Sequence, residues 1–312
     1  MKRKKIIKEL NQLLIKNKKF ISDFWLYGSI DDELSDLDII CLYKKKPIQI
    51  RFSKFLRQKI DDGTIIFVQE KKSKNIFLFE KLDIFSIKYG KKIIEKISPN
   101  IKPLRYLTSF LERYYERRAL LGKIKNITPR TLRLIKSTIF SYQSFLKFCK
   151  NKKIKLTHNL FNFNEYRIVR KKYLSNKLND IYFEKYLKKF KLRDNIFYNQ
   201  SLFILDNYYK FNRSYYLSYN FNKYTKYSFK KSKNCIIVPK ILAYIYKIYS
   251  SENVLLSKKI KKDFNSDIKI DNKYNILNNY LKIKLGFLNS TYKDLKKQKF
   301  KSGLYRLSWY LN

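Results

Sequence analysis

Glycine and proline are scarce in this 312-residue chain, at 6 and 5. That excludes collagen-like and Pro/Gly-rich disordered sequences. Alanine occurs only at Ala119 and Ala243, and histidine only at His158. The three cysteines, Cys41, Cys149 and Cys235, lie far apart and form no Cys-x-x-Cys pair. A structural zinc site is therefore not expected, and an odd, scattered set points to reduced thiols rather than a disulfide framework. Cys41 and Cys235 sit inside apolar runs and read as small buried hydrophobes. No apolar run approaches the ~18 residues of a membrane span, so no membrane partner is expected. Acid is the largest deficit: 25 Asp and Glu stand against 71 Lys and Arg, for a net charge of +46.

Hydrophobic residues make up 45% of the chain, with 27 Tyr and 24 Phe, which is enough for one large domain or two smaller ones. Lys, Asn, Ile, Phe and Tyr carry the skew of an AT-rich genome, but codon supply does not account for so lopsided a charge. A polyanion, and specifically a nucleic acid, is the expected partner. The N-terminal Ile6, Ile7, Leu10, Leu13 and Leu14 follow helical spacing. They predict an amphipathic helix rather than a transit peptide, as suits an organelle-encoded protein.

Phe24–Tyr27 and Leu37–Tyr43 read as strands. A helix is expected from Pro47, with Phe52, Phe55, Leu56 and Lys59 or Ile60 on one side. Asp61-Asp62-Gly63 marks a turn before an apolar strand over Thr64–Val68. Strand, helix and strand with short joins predict a βαβ unit in a layered α/β core. Residues 69–97 read equally as strand or helix. Helices are expected over Leu104–Arg118, over about 128–150 behind Thr128-Pro129, and within 165–190; 211–232 reads as loop. Cys235–Val238 and Val254–Leu256 predict strands, and Ile241–Tyr249 and Leu277–Leu288 predict helices.

The chemistry-bearing stretch is Gly28-Ser29 followed by Asp36-Leu37-Asp38. Residues i and i+2 of a strand share a face, so Asp36 and Asp38 are placed to hold a divalent cation through carboxylate oxygens. The pattern resembles the nucleotidyltransferase superfamily, in which a Gly-Ser turn grips a triphosphate and paired carboxylates hold the metals. Glu70 and Asp83 are candidates for a third carboxylate. Six residues separate Ser29 from Asp36, fewer than is usual in that family.

Other segments resemble, in order, the bacterial-type family of the second protein of the small ribosomal subunit, in a diverged organellar form. They are Leu26-Tyr27-Gly28, Ile39–Leu42, Phe55-Leu56, Gly63–Val68, the run Arg118–Asn126 in register with that family's signature, Asn234–Val238, Asn253–Leu256 and Asp267–Lys273. Ala119 replaces the signature's Trp and Lys125 its Thr. The resemblance implies a Rossmann-like or flavodoxin-like parallel sheet flanked by helices and interrupted by a protruding αα-hairpin. The split core would be 1–126 with 234–290, the helical insertion 127–233, and the basic tail 291–312. It further implies a structural, non-enzymatic constituent of the mitochondrial small subunit in the matrix, or otherwise of the small subunit in the cytoplasm of an AT-rich bacterium or endosymbiont, bound to rRNA and neighbouring ribosomal proteins. No cofactor, metal or small-molecule substrate follows from it. The candidate RNA contacts are Arg118, Lys123 and Lys125 around Gly122, and Arg167, Arg170, Lys171, Lys172, Lys188 and Lys189 farther on. The competing expectation is a Mg²⁺-dependent nucleotidyltransferase built on Gly28-Ser29, Asp36 and Asp38.

Overall fold

The computed structural model describes residues 2–27, 38–46, 48, 50–59, 65–79, 84–94, 97–122, 124, 126–156, 160–210, 215–219, 227–228, 235–251, 269 and 271–297. The chain falls into two units, Met1–Ile101 with Lys282–Asn312, and Lys102–Leu281.

The first unit opens with helix α1 (Lys2–Lys16), which buries Ile6, Leu10 and Leu14 at a spacing of four. Strands β1 (Ile21–Tyr27) and β2 (Asp38–Tyr43) follow, then α2 (Lys54–Lys59) and β3 (Ile65–Gln69). The Ser53 hydroxyl caps α2 by accepting from the Leu56 amide at 3.2 Å, so this helix starts well after Pro47. A 3-10 helix (Glu70–Leu78) and the short strands β4 (Ile84–Ser86) and β5 (Lys91–Ile93) settle the ambiguous stretch after Gln69. The five strands form one mixed sheet in the order β3-β2-β1-β4-β5. The β2-α2-β3 crossover gives a parallel pair, as the βαβ pattern predicts. The other neighbours, β1 with β2, β1 with β4 and β4 with β5, are antiparallel. An α/β architecture is therefore present, with one parallel pair in a mixed sheet.

All seven residues of β1 are buried, so both faces of the sheet centre are covered. One of them, Asp23, is a carboxylate only 3% exposed. It accepts hydrogen bonds from Trp25 Nε1 at 2.9 Å, from the Lys88 amide at 2.8 Å and from the Ser86 hydroxyl. Burial raises its pKa above the ordinary carboxyl value, and the three donors pull it part of the way back. This buried acceptor ties the β4–β5 turn to β1.

The second unit is mainly helical: α3 (Ile101–Leu121), α4 (Pro129–Asn151), α5 (Phe163–Leu174), α6 (Asp180–Tyr208) and α7 (Lys240–Ser251). The last helix, α8 (Asn275–Lys297), counts with this unit up to Leu281 and with the first unit from Lys282. Thr128 caps α4 with Pro129 in its first turn, as the Thr-Pro step predicts. Asn162 and Asn179 cap α5 and α6. Phe197 is the hub of the core, with ring centroids 4.8 Å from Tyr114, 4.9 Å from Tyr142 and 5.7 Å from Phe110.

Part of the expected loop after residue 210 is strand. β6 (Tyr215–Tyr219) lies between β7 (Tyr227–Ser228) and β8 (Cys235–Val238) in a separate antiparallel sheet. Cys235–Val238 is thus a strand as expected, but its partner is Tyr215–Ser218 and not the five-stranded sheet. The strand expected over 254–256 lies outside the described residues.

The Asp23 network gives a stability prediction. Ser86→Ala removes a hydrogen bond to a buried carboxylate and should destabilise the first unit by about 1.5–3 kcal/mol. A group whose pKa is raised in the folded state favours folding in its neutral form, so stability falls as pH rises above the unfolded value near 3.8. Losing the Ser86 donor should raise the Asp23 pKa further and steepen that fall. Urea unfolding followed by Trp25 fluorescence in a Trp309→Phe background reads both effects.

Candidate functional site

The register of β1 on β2 pairs Tyr27 with Asp38, Leu26 with Ile39 and Trp25 with Ile40. Gly28-Ser29 follows Tyr27 directly in the chain, and Asp36 stands two residues before Asp38. The connection over 28–37 lies outside the described residues, but it starts and finishes at one pair of facing strand ends. β3 begins at the same end, because Ile65 lies beside Ile39. β4 begins there too, since Phe85 faces Leu26 and the strands are antiparallel.

Asp38 is half-buried on the face it shares with Tyr27, Trp25 and Ile40, all of which are buried. A carboxylate at the rim of an apolar strand face is a hard oxygen donor, suited to Mg²⁺ rather than to a soft metal. Among the described residues no three His, Cys, Asp or Glu side chains gather as a metal site, and Asp38 is the described carboxylate at this end.

The two candidates for a third carboxylate separate cleanly. Glu70 follows Gln69, which pairs with Tyr43, so it stands at the opposite end of the sheet from Asp38. It cannot join Asp38 across a strand ~17 Å long. Asp83 lies outside the described residues, but the next residue, Ile84, opens β4 at the Asp38 end. Asp23 is four residues back along β1, ~13 Å from Tyr27, and is held in the network described above.

In the second unit, Arg118 is engaged inside the protein. Its guanidinium pairs with Asp194, donates to Asn195 Oδ1 at 2.6 Å and lies 3.9 Å over the Tyr198 ring. Asp194 also accepts from the Tyr114 hydroxyl at 2.9 Å. Burial raises the Asp194 pKa, against the pull of Arg118 and Tyr114. Sequence pattern gave no sign of Asp194, because a lone Asp in a Lys-rich helix resembles any solvated charge.

Lys123 and Lys125 lie outside the described residues. The neighbouring Ile124 carbonyl accepts from Lys191 Nζ at 3.0 Å, a lysine the spacing did not single out. Arg167 and Lys171 are exposed on α5, and Arg170 and Lys172 are half-buried; Lys172 lies 3.9 Å over the Tyr182 ring. Lys188 and Lys189 are exposed on α6. Lys189 and Arg193 bridge to Glu165 at 3.3 and 2.6 Å, joining α5 to α6. Burial pulls the Glu165 pKa up, but these two cations outweigh it and hold the carboxyl below its ordinary value.

No protein-family model, curated protein or solved structure matches the chain. The site therefore rests on its own geometry. Of the eleven aromatic residues along α5 and α6, Tyr166, Phe183, Phe190 and Phe197 are buried, Phe163, Tyr173, Tyr186 and Tyr198 are half-buried, and Tyr182, Phe203 and Tyr208 are exposed. The outer face is Lys-rich and also exposes apolar side chains, among them Ile168, Ile181, Leu192 and Phe203.

The Arg118 pair is testable. Arg118→Met strands a buried carboxylate and should cost about 3–5 kcal/mol, whereas adding Asp194→Leu should recover most of it. Calorimetric unfolding of the single and double variants measures this. A single variant as stable as the parent would mean the pair has no structural role.

Proposed function

We propose that the chain is a Mg²⁺-dependent nucleotidyltransferase whose site is the Asp38 end of the five-stranded sheet. One observation carries this reading: the Tyr27–Asp38 pairing, which brings together the two strand ends that in the sequence directly precede Gly28-Ser29 and close the Asp36-x-Asp38 pair. The backbone amides of a Gly-Ser turn suit the oxygens of a triphosphate. Asp36 and Asp38 would hold the metal, with Asp83 as third candidate. When bound, Mg²⁺ supplies charge neutralisation on the phosphoryl oxygens and lowers the pKa of an attacking hydroxyl. The chain's own task is to fix the phosphate tail and the acceptor hydroxyl in line. The net charge of +46 favours a polynucleotide acceptor.

A second reading, the structural constituent of a mitochondrial small ribosomal subunit bound to rRNA and neighbouring proteins, is favoured by that same charge. It draws less from the fold. The Rossmann-like parallel sheet it implies would take in Cys235–Val238, whereas those residues pair with Tyr215–Ser218 and β1 runs antiparallel to β2.

Purified full-length protein should incorporate label from a nucleoside triphosphate into an RNA oligonucleotide with Mg²⁺. Asp38→Asn and Asp36→Asn should each lower the rate by about a hundredfold or more, while Glu70→Gln should leave it unchanged. Full activity in Asp38→Asn would end the enzymatic reading. Stable co-sedimentation with small ribosomal subunits at moderate salt, without incorporation, would favour the ribosomal one.

A further inference from the structure

The sheet has a second end with a distinct composition. Lys18 and Lys19 precede β1, and Lys44, Lys45 and Lys46 follow β2; all five are exposed. Lys71 follows β3, which stops level with β2 because Gln69 pairs with Tyr43. β4 runs antiparallel to β1, so the Ile87–Gly90 turn points toward this same end, with Lys88 level with Asp23 and Lys91 level with Trp25. Among the described residues, Glu70 is the one exposed acid in these turns. The row crosses all five strands, ~19 Å at the usual strand spacing; measured along β1 from the Asp38 end it lies ~20 Å away at Lys18, Lys19 and Lys44, ~13 Å at Lys88, and ~7 Å at Lys91.

Two aromatic side chains stand among these cations, Phe20 at 41% exposure and Tyr89 at 61%. Both sit on backbone that is firmly held. The Phe20 amide donates to the Asn17 carbonyl at 2.9 Å, and its own carbonyl accepts from the Lys44 amide at 2.8 Å. The Lys88 amide donates to the buried Asp23 carboxylate, and the Tyr89 amide donates to the Ser86 hydroxyl at 3.1 Å. Gly90 closes the turn at φ +62°, a conformation that a side chain would strain. The hydrogen bonds of Asp23 thus fix the turn that displays Tyr89.

We propose that this sheet end is a docking surface for a single-stranded polynucleotide, with the lysines on phosphates and Phe20 and Tyr89 stacked on bases. Solvent-facing aromatic rings on a rigid, basic edge match the stacking platform and electrostatic groove of single-strand binding. An anionic membrane interface would also seat the two rings and is the competing occupant in the test below, whereas a duplex offers no unstacked base to Tyr89. The surface is separate from the nucleotide site, so Asp38→Asn should bind as the parent does.

The test is fluorescence anisotropy of a labelled oligouridylate with the full chain over a salt series. Lys45→Gln, Lys46→Gln, Lys88→Gln and Lys91→Gln combined should weaken binding by roughly tenfold and lower the slope of log K against log salt by up to about 3. Tyr89→Ala should weaken it by roughly tenfold with the slope unchanged, since stacking involves no counterion release. Trp25 fluorescence checks that each variant is folded. A control set on α6, Lys185→Gln, Lys188→Gln and Lys189→Gln, should have little effect. An equal loss in the control set, unchanged affinity in Tyr89→Ala, or a preference for phosphatidylserine vesicles or duplex RNA over oligouridylate would each overturn the proposal.

Discussion

The register of β1 against β2 governs the first unit. Because side chains alternate along a strand, a slip of one residue would turn Trp25 and Tyr27 to the other face and carry Asp38 away from them. Two features hold that register. Ile21 pairs with Tyr43 and Asp23 with Leu42, so the shift falls at Ser22, whose hydroxyl donates to the Leu42 carbonyl at 3.1 Å. Asp23 then fixes β1 to the β4–β5 turn through buried hydrogen bonds. A carboxylate in the centre of a sheet is an expensive acceptor unless every lone pair is used. Once used, it specifies one arrangement. The same network serves both ends of the sheet: it keeps Tyr27 opposite Asp38 at one end and presents Tyr89 at the other.

How far the sequence discloses this follows the length of the signals. Long periodic segments such as Ile101–Leu121 and Pro129–Asn151 declare themselves through spacing and a Thr-Pro cap. The apolar runs over Ile39–Tyr43 and Ile65–Val68 announce buried strands. Direction does not follow from such runs, because a run buried on both faces looks alike in a parallel or an antiparallel neighbour. The antiparallel β1–β2 pair was therefore open, and with it the choice between two resemblances. Strands of three residues, such as Ile84–Ser86, fall below any period. Among site residues, Asp36 and Asp38 are legible from the i, i+2 pattern. The separation of Glu70 from Asp83 needs the register, which no local pattern carries.

The acids bear on the charge as well. Few to begin with, they include three that are buried: Asp23, Glu112 and Asp194 are 3%, 4% and 2% exposed. Glu165 is taken up between Lys189 and Arg193. Carboxylates used internally screen little of the exterior, so the solvent-facing surface is more one-sided than the composition alone suggests. Such a surface repels itself, and the compact state bears that strain until counterions or a polyanion relieve it. Any partner that binds only the folded chain then adds to its stability by mass action. Lysine excess and buried acid are in this sense one property. Internal acids give the fold its specific joints, at Asp23 in the sheet and Asp194 among the helices, and leave an outer surface that a nucleic-acid backbone complements.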